Sequence, residues 1–192
     1  MRELHGIGVG RGIALGSVRR MPDPISEPDD ATRTVDAETE QRAVAVALAT
    51  VAAELTSRGE QAGGSAKDVL DAQAMMAQDP SIVDDVNSRI AGGSTGERAV
   101  FEAFVAFQEI LTDMGGYMGE RAADLADVAQ RVIATLRGVP APGVPTSDKP
   151  FVLVANDLAP ADTALLDLDK VIALVTRDGG PTSHTACTRS PT

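Results

Sequence analysis

Three features of the sequence predict an α+β fold in which a discontinuous α/β unit is interrupted by a helical bundle. Apolar residues at helical spacing run from about Ala31 to Leu136. Short continuous apolar runs of buried-strand type follow, at Phe151–Ala155 and Val171–Val175. Between the two regions, Gly138, Pro140, Pro142, Gly143, Pro145 and Pro150 crowd into a stretch that few helices survive.

Taken in order, the segment Glu3 to Met21 mixes glycines with Ile7, Val9, Ile13, Leu15 and Val18 at a spacing of mostly two residues. That pattern suits a glycine-broken strand or hairpin. Prolines at 22, 24 and 28 make the next stretch a connector, and Asp29 and Asp30 offer a helix start. Val44, Leu48, Val51 and Leu55 fall at i, i+4, i+7 and i+11, as do Val100, Phe104, Phe107 and Leu111, so both sets are expected to be core-facing seams. Gly63-Gly64, Gly92-Gly93 and Gly115-Gly116 punctuate the region into four or five helices joined by short turns, as in an antiparallel bundle. Past the proline-rich stretch, Leu158 to Asp169 has room for a helical turn or two between the strands. The expected division is residues 1–21 with 145–192 as the α/β unit and 30–138 as the helical unit. No repeat or low-complexity tract is evident.

At 192 residues and 43% hydrophobic content the chain has enough apolar material for one or two cores. No run approaches the roughly 18 apolar residues of a spanning helix, and the amino terminus lacks a signal-peptide pattern. A cytoplasmic protein with no membrane insertion is expected. The single Cys187 supplies neither an internal disulfide nor a cysteine-rich metal cage. A formal net charge of -11 argues against nucleic acid or anionic membrane as a partner and is compatible with a basic protein partner. Taken alone, such acidity signals only solubility.

The chemistry concentrates after Val175, in Thr176-Arg-Asp-Gly-Gly-Pro-Thr-Ser-His-Thr-Ala. A glycine-rich turn followed by hydroxyl residues is suited to start a helix, with His184 in its first turn. Unpaired N–H groups there, with the partial positive charge of a helix start, would hold a phosphoryl group carried on the imidazole. Neutral imidazole is a good nucleophile near neutral pH, and its phosphorylated nitrogen stays reactive enough to pass the group on. A lone histidine is more often structural, and no Gly-Lys-Ser/Thr follows the glycines to make a P-loop. His5, in the opening segment, has no partner motif and reads as structural, and Cys187 reads as a packing residue.

Gly179-Gly180-Pro181-Thr182-Ser183-His184-Thr185-Ala186 resembles the phosphohistidine signature of enzyme I of the phosphoenolpyruvate:sugar phosphotransferase system and of its relatives, pyruvate phosphate dikinase and phosphoenolpyruvate synthase. Asn156-Asp-Leu-Ala-Pro-Ala-Asp-Thr163 is similar to a second enzyme I segment, and Tyr117 to Arg131, with Glu120-Arg-Ala-Ala-Asp124 and Asp127, resembles the last long helix of its helical subdomain, which the dikinases lack. The resemblance implies that His184 is the phosphohistidine, that Thr163 orients its ring, and that Gly179, Gly180, Thr182 and Ser183 support the phosphoryl group. It also implies that the α/β unit is the phosphohistidine subdomain and that the helical unit binds HPr, the small phosphocarrier that receives the phosphoryl group.

Val69 to Pro80 is similar to the family's HPr-docking helix, with Gln73 where a histidine is usual. Met75, Met76 and Asp79 fall on its contact positions and Arg121 on a contact of the neighbouring helix. Methionines are adaptable apolar anchors and Asp79 would meet a basic group, although a helical Met pair is equally compatible with ordinary core. Adjacent helical residues diverge by about 100°, so at most one of the two faces straight inward. Asp68, Asp84 and Asp85 read as a solvated face.

Full-length members carry a further carboxy-terminal barrel that binds phosphoenolpyruvate and magnesium, of which this sequence has none. No cofactor is therefore expected within these residues, and the fragment alone is not expected to use phosphoenolpyruvate. Members also continue past the active helix with a longer helix and more strands, whereas this sequence reads Ala186-Cys-Thr-Arg-Ser-Pro-Thr192. The α/β subdomain is expected to be truncated at its carboxy end. Ala159 and Ala161 also replace the usual Thr and Ser. Two other readings stay open at this level: a phosphohistidine domain of a dikinase or synthase relative, and a non-catalytic HPr-binding module.

Overall fold

A computed structural model describes residues 6–8, 12–145, 147–156, 158, 162–163 and 166–177. The chain divides into two compact units, one from Met1–Asp23 with Gly143–Thr192 and the other from Pro24–Pro142. The fold is α+β, as expected.

The helical unit contains five helices: α1 (Ala37–Ala62), α2 (Gly64–Met76), α3 (Pro80–Ala91), α4 (Gly96–Met114) and α5 (Gly116–Arg137). Its core follows the sequence periodicity in α1, where Val44, Leu48, Val51 and Leu55 are all buried. In α4 the seam is buried at Ala99, Val100, Ala103 and Phe104, while Phe107 and Leu111 are only half-buried. The two small residues let Phe104 reach the centre, and the seam leaves the core where α4 approaches its end. α1 packs against all four other helices and α5 against α1, α2 and α4. At the junctions α1–α2 and α4–α5, Gly63-Gly64 and Gly115-Gly116 all have φ between 53° and 66°. L side chains rarely adopt that conformation, which is why each turn is a glycine pair.

The first helix starts later than Asp29 and Asp30 suggest. Asp36 is its cap, accepting hydrogen bonds from the Thr39 backbone amide and hydroxyl, both at 2.8 Å. The residues before it are committed elsewhere. Arg33 donates its amide to Gly93 O at 2.9 Å and its Nε to Ile90 O at 3.1 Å, and Thr32 bridges Ser94. Helix from Ala31 would forfeit these bonds.

The connector ahead of it is tied down along its length. The Ile25 N–H donates to Gln130 Oε1 and its carbonyl accepts from Gln130 Nε2, Ser26 O accepts from Arg137 Nη1 at 3.1 Å, and Glu27 pairs with Arg98 at 2.7 Å.

In the α/β unit, β1 (Ser17–Arg20), β2 (Phe151–Ala155) and β3 (Val171–Thr176) form a parallel sheet in the order β1-β2-β3. Phe151, Leu153 and Ala155 alternate inward on the central strand and pack with Leu158 and Val171. Of the strand or hairpin expected for the opening segment, the described residues form the strand, β1, paired in parallel to β2. The segment's apolar residues Ile7, Ile13, Leu15 and Val18 are exposed. Gly16 lies so close to Ile172 that a Cβ would meet its Cδ1 at 2.8 Å, so this glycine serves close approach across the sheet.

Candidate functional site

The sequence-derived site residues fall on the two units, each taken by itself. In the α/β unit they follow the carboxyl ends of parallel strands, the edge at which ligands bind in open α/β sheets. β2 ends at Ala155 and leads through Asn156 to Thr163, and β3 ends at Thr176 and leads toward His184. Arg177 N donates to Ala155 O at 3.1 Å, holding the two strand exits together. Asn156 Nδ2 donates to Asp23 Oδ1 at 3.4 Å, and the same carboxylate pairs with Arg20 at 2.8 Å. Asp162 and Thr163 are helical, Asp162 buried and Thr163 half-buried, and Thr163 O accepts from Leu166 N at 3.4 Å. His184, Gly179, Gly180, Thr182 and Ser183 lie outside the described residues, as do His5 and Cys187.

In the helical unit, α2 and α5 bring together residues that are 51 positions apart in sequence. Met75 is 75% exposed at the end of α2 while Met76 is half-buried, so the pair divides between solvent and core as helical geometry requires. Asp79 is half-buried and is the cap of α3, accepting from Ser81 N at 2.8 Å ahead of Pro80 at the first helical position. Its carboxylate therefore has a structural duty that the motif comparison does not reveal. Asp68 and Asp84 are exposed, and Asp85 pairs with Arg89 at 3.1 Å.

Arg121 is held from two sides. Its Nε and Nη2 donate to the Tyr117 hydroxyl, the former at 3.1 Å, and its Nη1 donates to Asp124 Oδ2 at 3.0 Å. The guanidinium carbon is also 4.9 Å from the Tyr117 ring centre, within cation–π range. The Tyr117 hydroxyl, and then Asp124, hold the guanidinium above its ordinary pKa against the opposing effect of burial. Asp124 is 3% exposed, and its other oxygen accepts from Gln73 Nε2 on α2 at 3.0 Å.

Sequence reasoning marks Gln73 only as a departure and Asp124 only as part of a motif. The available signal was the spacing of Tyr117, Arg121 and Asp124, which shares one face of α5 with a polar residue inside the otherwise apolar stripe of α2.

Among the described residues, no helix is long and apolar enough to cross a membrane, and no group of three or more His, Cys, Asp or Glu side chains is placed to hold a metal ion.

Comparison with known proteins places these elements. The family model described as PEP-utilising enzyme, N-terminal, matches residues 5–121, and that described as PEP-utilising enzyme, mobile domain, matches residues 147–188. The chain is 54% identical over 184 residues to the phosphoenolpyruvate-protein phosphotransferase of Streptomyces coelicolor, covering 95% of this chain and 33% of that protein. Identity to the protein of the same name from Bacillus subtilis is 34% over 192 residues, covering 97% of this chain and 34% of that protein. The chain thus spans about a third of the length of these relatives. A solution NMR structure of Enzyme I superposes with a TM-score of 0.76 at 28% identity, covering 93% of this chain and 75% of that one. The N-terminal domain of Enzyme 1 - Nitrogen shares the fold, with a TM-score of 0.66 at 24% identity over 93% of this chain and 75% of that one. The first family match alone takes in more than half of the sequence, and the chain belongs to the PEP-utilising enzyme family, corresponding within it to the amino-terminal region of enzyme I, the phosphoenolpyruvate-protein phosphotransferase.

Proposed function

We propose that the protein is a phosphoryl relay of the sugar phosphotransferase system: it takes a phosphoryl group from phosphoenolpyruvate onto His184 and hands it to HPr. The observation that carries this reading is Gly179-Gly-Pro-Thr-Ser-His184, which begins three residues past the end of β3, inside the match to the mobile domain of PEP-utilising enzymes. In the transfer, an imidazole nitrogen of one histidine attacks phosphorus, the bond from phosphorus to the other imidazole breaks, and each ring exchanges a proton with solvent or a neighbouring base. Thr163 orients the His184 ring, and Gly179, Gly180, Thr182 and Ser183 offer backbone and hydroxyl donors to the phosphoryl oxygens.

The helical unit, with its extent read from sequence as residues 30–138, docks HPr through Met75, Met76, Asp79 and Arg121. The exposure of Met75 and the anchored guanidinium of Arg121 support this assignment. Residues 1–21 and 145–192 carry the chemistry. Phosphoenolpyruvate and its magnesium ion belong to a part of the enzyme beyond these residues, and the place of action is the cytoplasm.

The test is incubation of this chain with phosphorylated HPr, followed by intact-mass analysis at neutral pH and after mild acid. Gain of one acid-labile phosphoryl group, absent from His184→Ala, is the expected result. Binding of HPr without transfer would overturn the relay and leave a docking module, and absence of both would overturn the whole assignment.

A further inference from the structure

We propose that Gln73 and Asp124 are positioning residues that fix the Arg121 guanidinium, and the Tyr117 hydroxyl with it, as hydrogen-bond donors to acceptor oxygens on the docked phosphocarrier. The inference rests on the docking reading above and concerns how that face is built.

The chain of contacts runs from the interior outward. Gln73 is fully buried and Asp124 nearly so, whereas Arg121 is partly exposed and Tyr117 is 63% exposed. A carboxylate only accepts, so Gln73 must turn its NH₂ toward Asp124, which fixes the amide in one orientation. The consequence is visible on its other side: Gln73 Oε1 is buried with no hydrogen-bond partner. An orphaned buried acceptor opposes folding, and a nonpolar residue of similar size would avoid it. What the amide supplies is the N–H donor to Asp124 Oδ1, which leaves Oδ2 for Arg121.

Arg121 has five N–H groups, and the bonds to Tyr117 and Asp124 occupy three of them. Two remain for a partner. The Tyr117 oxygen accepts from the guanidinium, so its own hydrogen is free to be donated. The guanidinium and the hydroxyl together make a set of held donors on the exposed side of α5. Their chemical complement is a surface that presents backbone carbonyl or carboxylate oxygens. Held from behind, the guanidinium loses little freedom on docking.

The test measures HPr affinity for wild type, Gln73→Leu, Gln73→His, Arg121→Ala and the double variant Gln73→Leu/Arg121→Ala, with thermal unfolding of each as a check of folding. Gln73→Leu is expected to weaken binding about tenfold, the scale of a lost hydrogen bond to a charged group, and Gln73→His, which keeps a ring N–H donor, to restore most of it. With Arg121 already removed, Gln73→Leu is expected to cost nothing further, because its effect passes through the guanidinium. Wild-type affinity for Gln73→Leu, an equal loss with and without Arg121, or failure of Gln73→His to restore binding would overturn the positioning role. Failure of the wild-type protein to bind HPr would instead overturn the docking reading, and this inference with it.

Discussion

Glu40 reaches from α1 to the start of α4, where its Oε2 accepts a hydrogen bond from the Gly96 amide at 3.0 Å. The carboxylate satisfies a backbone donor that a helix start leaves open, and it lies at the positive end of the helix dipole. The approach is possible because residue 96 has no side chain: a Cβ there would meet Glu40 Oε2 at 2.7 Å and Val44 Cγ2 at 2.8 Å. Gly96→Ala is therefore expected to destabilise the helical unit by about 1–3 kcal/mol through overpacking, measured by urea unfolding. Wild-type stability in that variant would refute the contact.

Phe104 lies at the centre of the helical core and is fully buried. Phe104→Ala is expected to cost about 3–5 kcal/mol, and Phe107→Ala, at the half-buried end of the same seam, clearly less. Denaturation midpoints of the two variants measured side by side will rank them, and the reverse order would contradict the observed burial.

Asp79 combines a structural duty with a proposed one, and two substitutions separate them. Asp79→Asn keeps the cap of α3 and removes the charge, so stability should hold while HPr affinity falls. Asp79→Ala removes both and should also cost about 1 kcal/mol of stability. Thermal unfolding and HPr titration of the pair provide the comparison.

Glu102 bridges two arginines, with Arg98 Nε at 2.7 Å and Arg89 Nη1 at 2.6 Å. Arg98 and then Arg89 hold its carboxyl below the ordinary glutamate value, against a contribution from burial that raises it. A depressed folded pKa means that the unfolded state binds protons more readily, so the stabilisation is complete above the ordinary value of 4.5 and is lost as the pH falls through the lowered one. Stability of Glu102→Gln should accordingly fall less steeply than wild type between about pH 5 and about pH 3, as read by unfolding across that interval.

Where the periodicity was long, as in the four-residue stripe of α1, and where an apolar run was short and bounded, as at Phe151–Ala155, the elements were legible in the sequence. The start of α1 was not, because Asp29, Asp30 and Asp36 are chemically similar caps and the choice is made by what Arg33 bonds to 57 and 60 residues away. Alternation in the opening segment pointed to a strand or hairpin, and β1 is that strand, although its Val18 is exposed. Arg121 came from motif comparison alone. The buried carboxylate and amide behind it depend on α2 and α5 meeting, which no local pattern encodes.

The strap formed by Ser26 and Arg137 bears on the order of events during folding. β1 and β2 pair although Ser17 and Phe151 stand 134 positions apart, and closing so long a loop from an unfolded chain is entropically unfavourable and slow. Once the helices have assembled, the bond between Ser26 and Arg137 brings the chain's entry to the helical unit beside its exit, and the chain left to search shrinks to 6 residues back to Arg20 on one side and 14 on to Phe151 on the other. The helical insertion then acts as a folded clasp for the sheet. Refolding should show helix formation first and strand pairing after it, with the second step slowed when Arg137 is replaced.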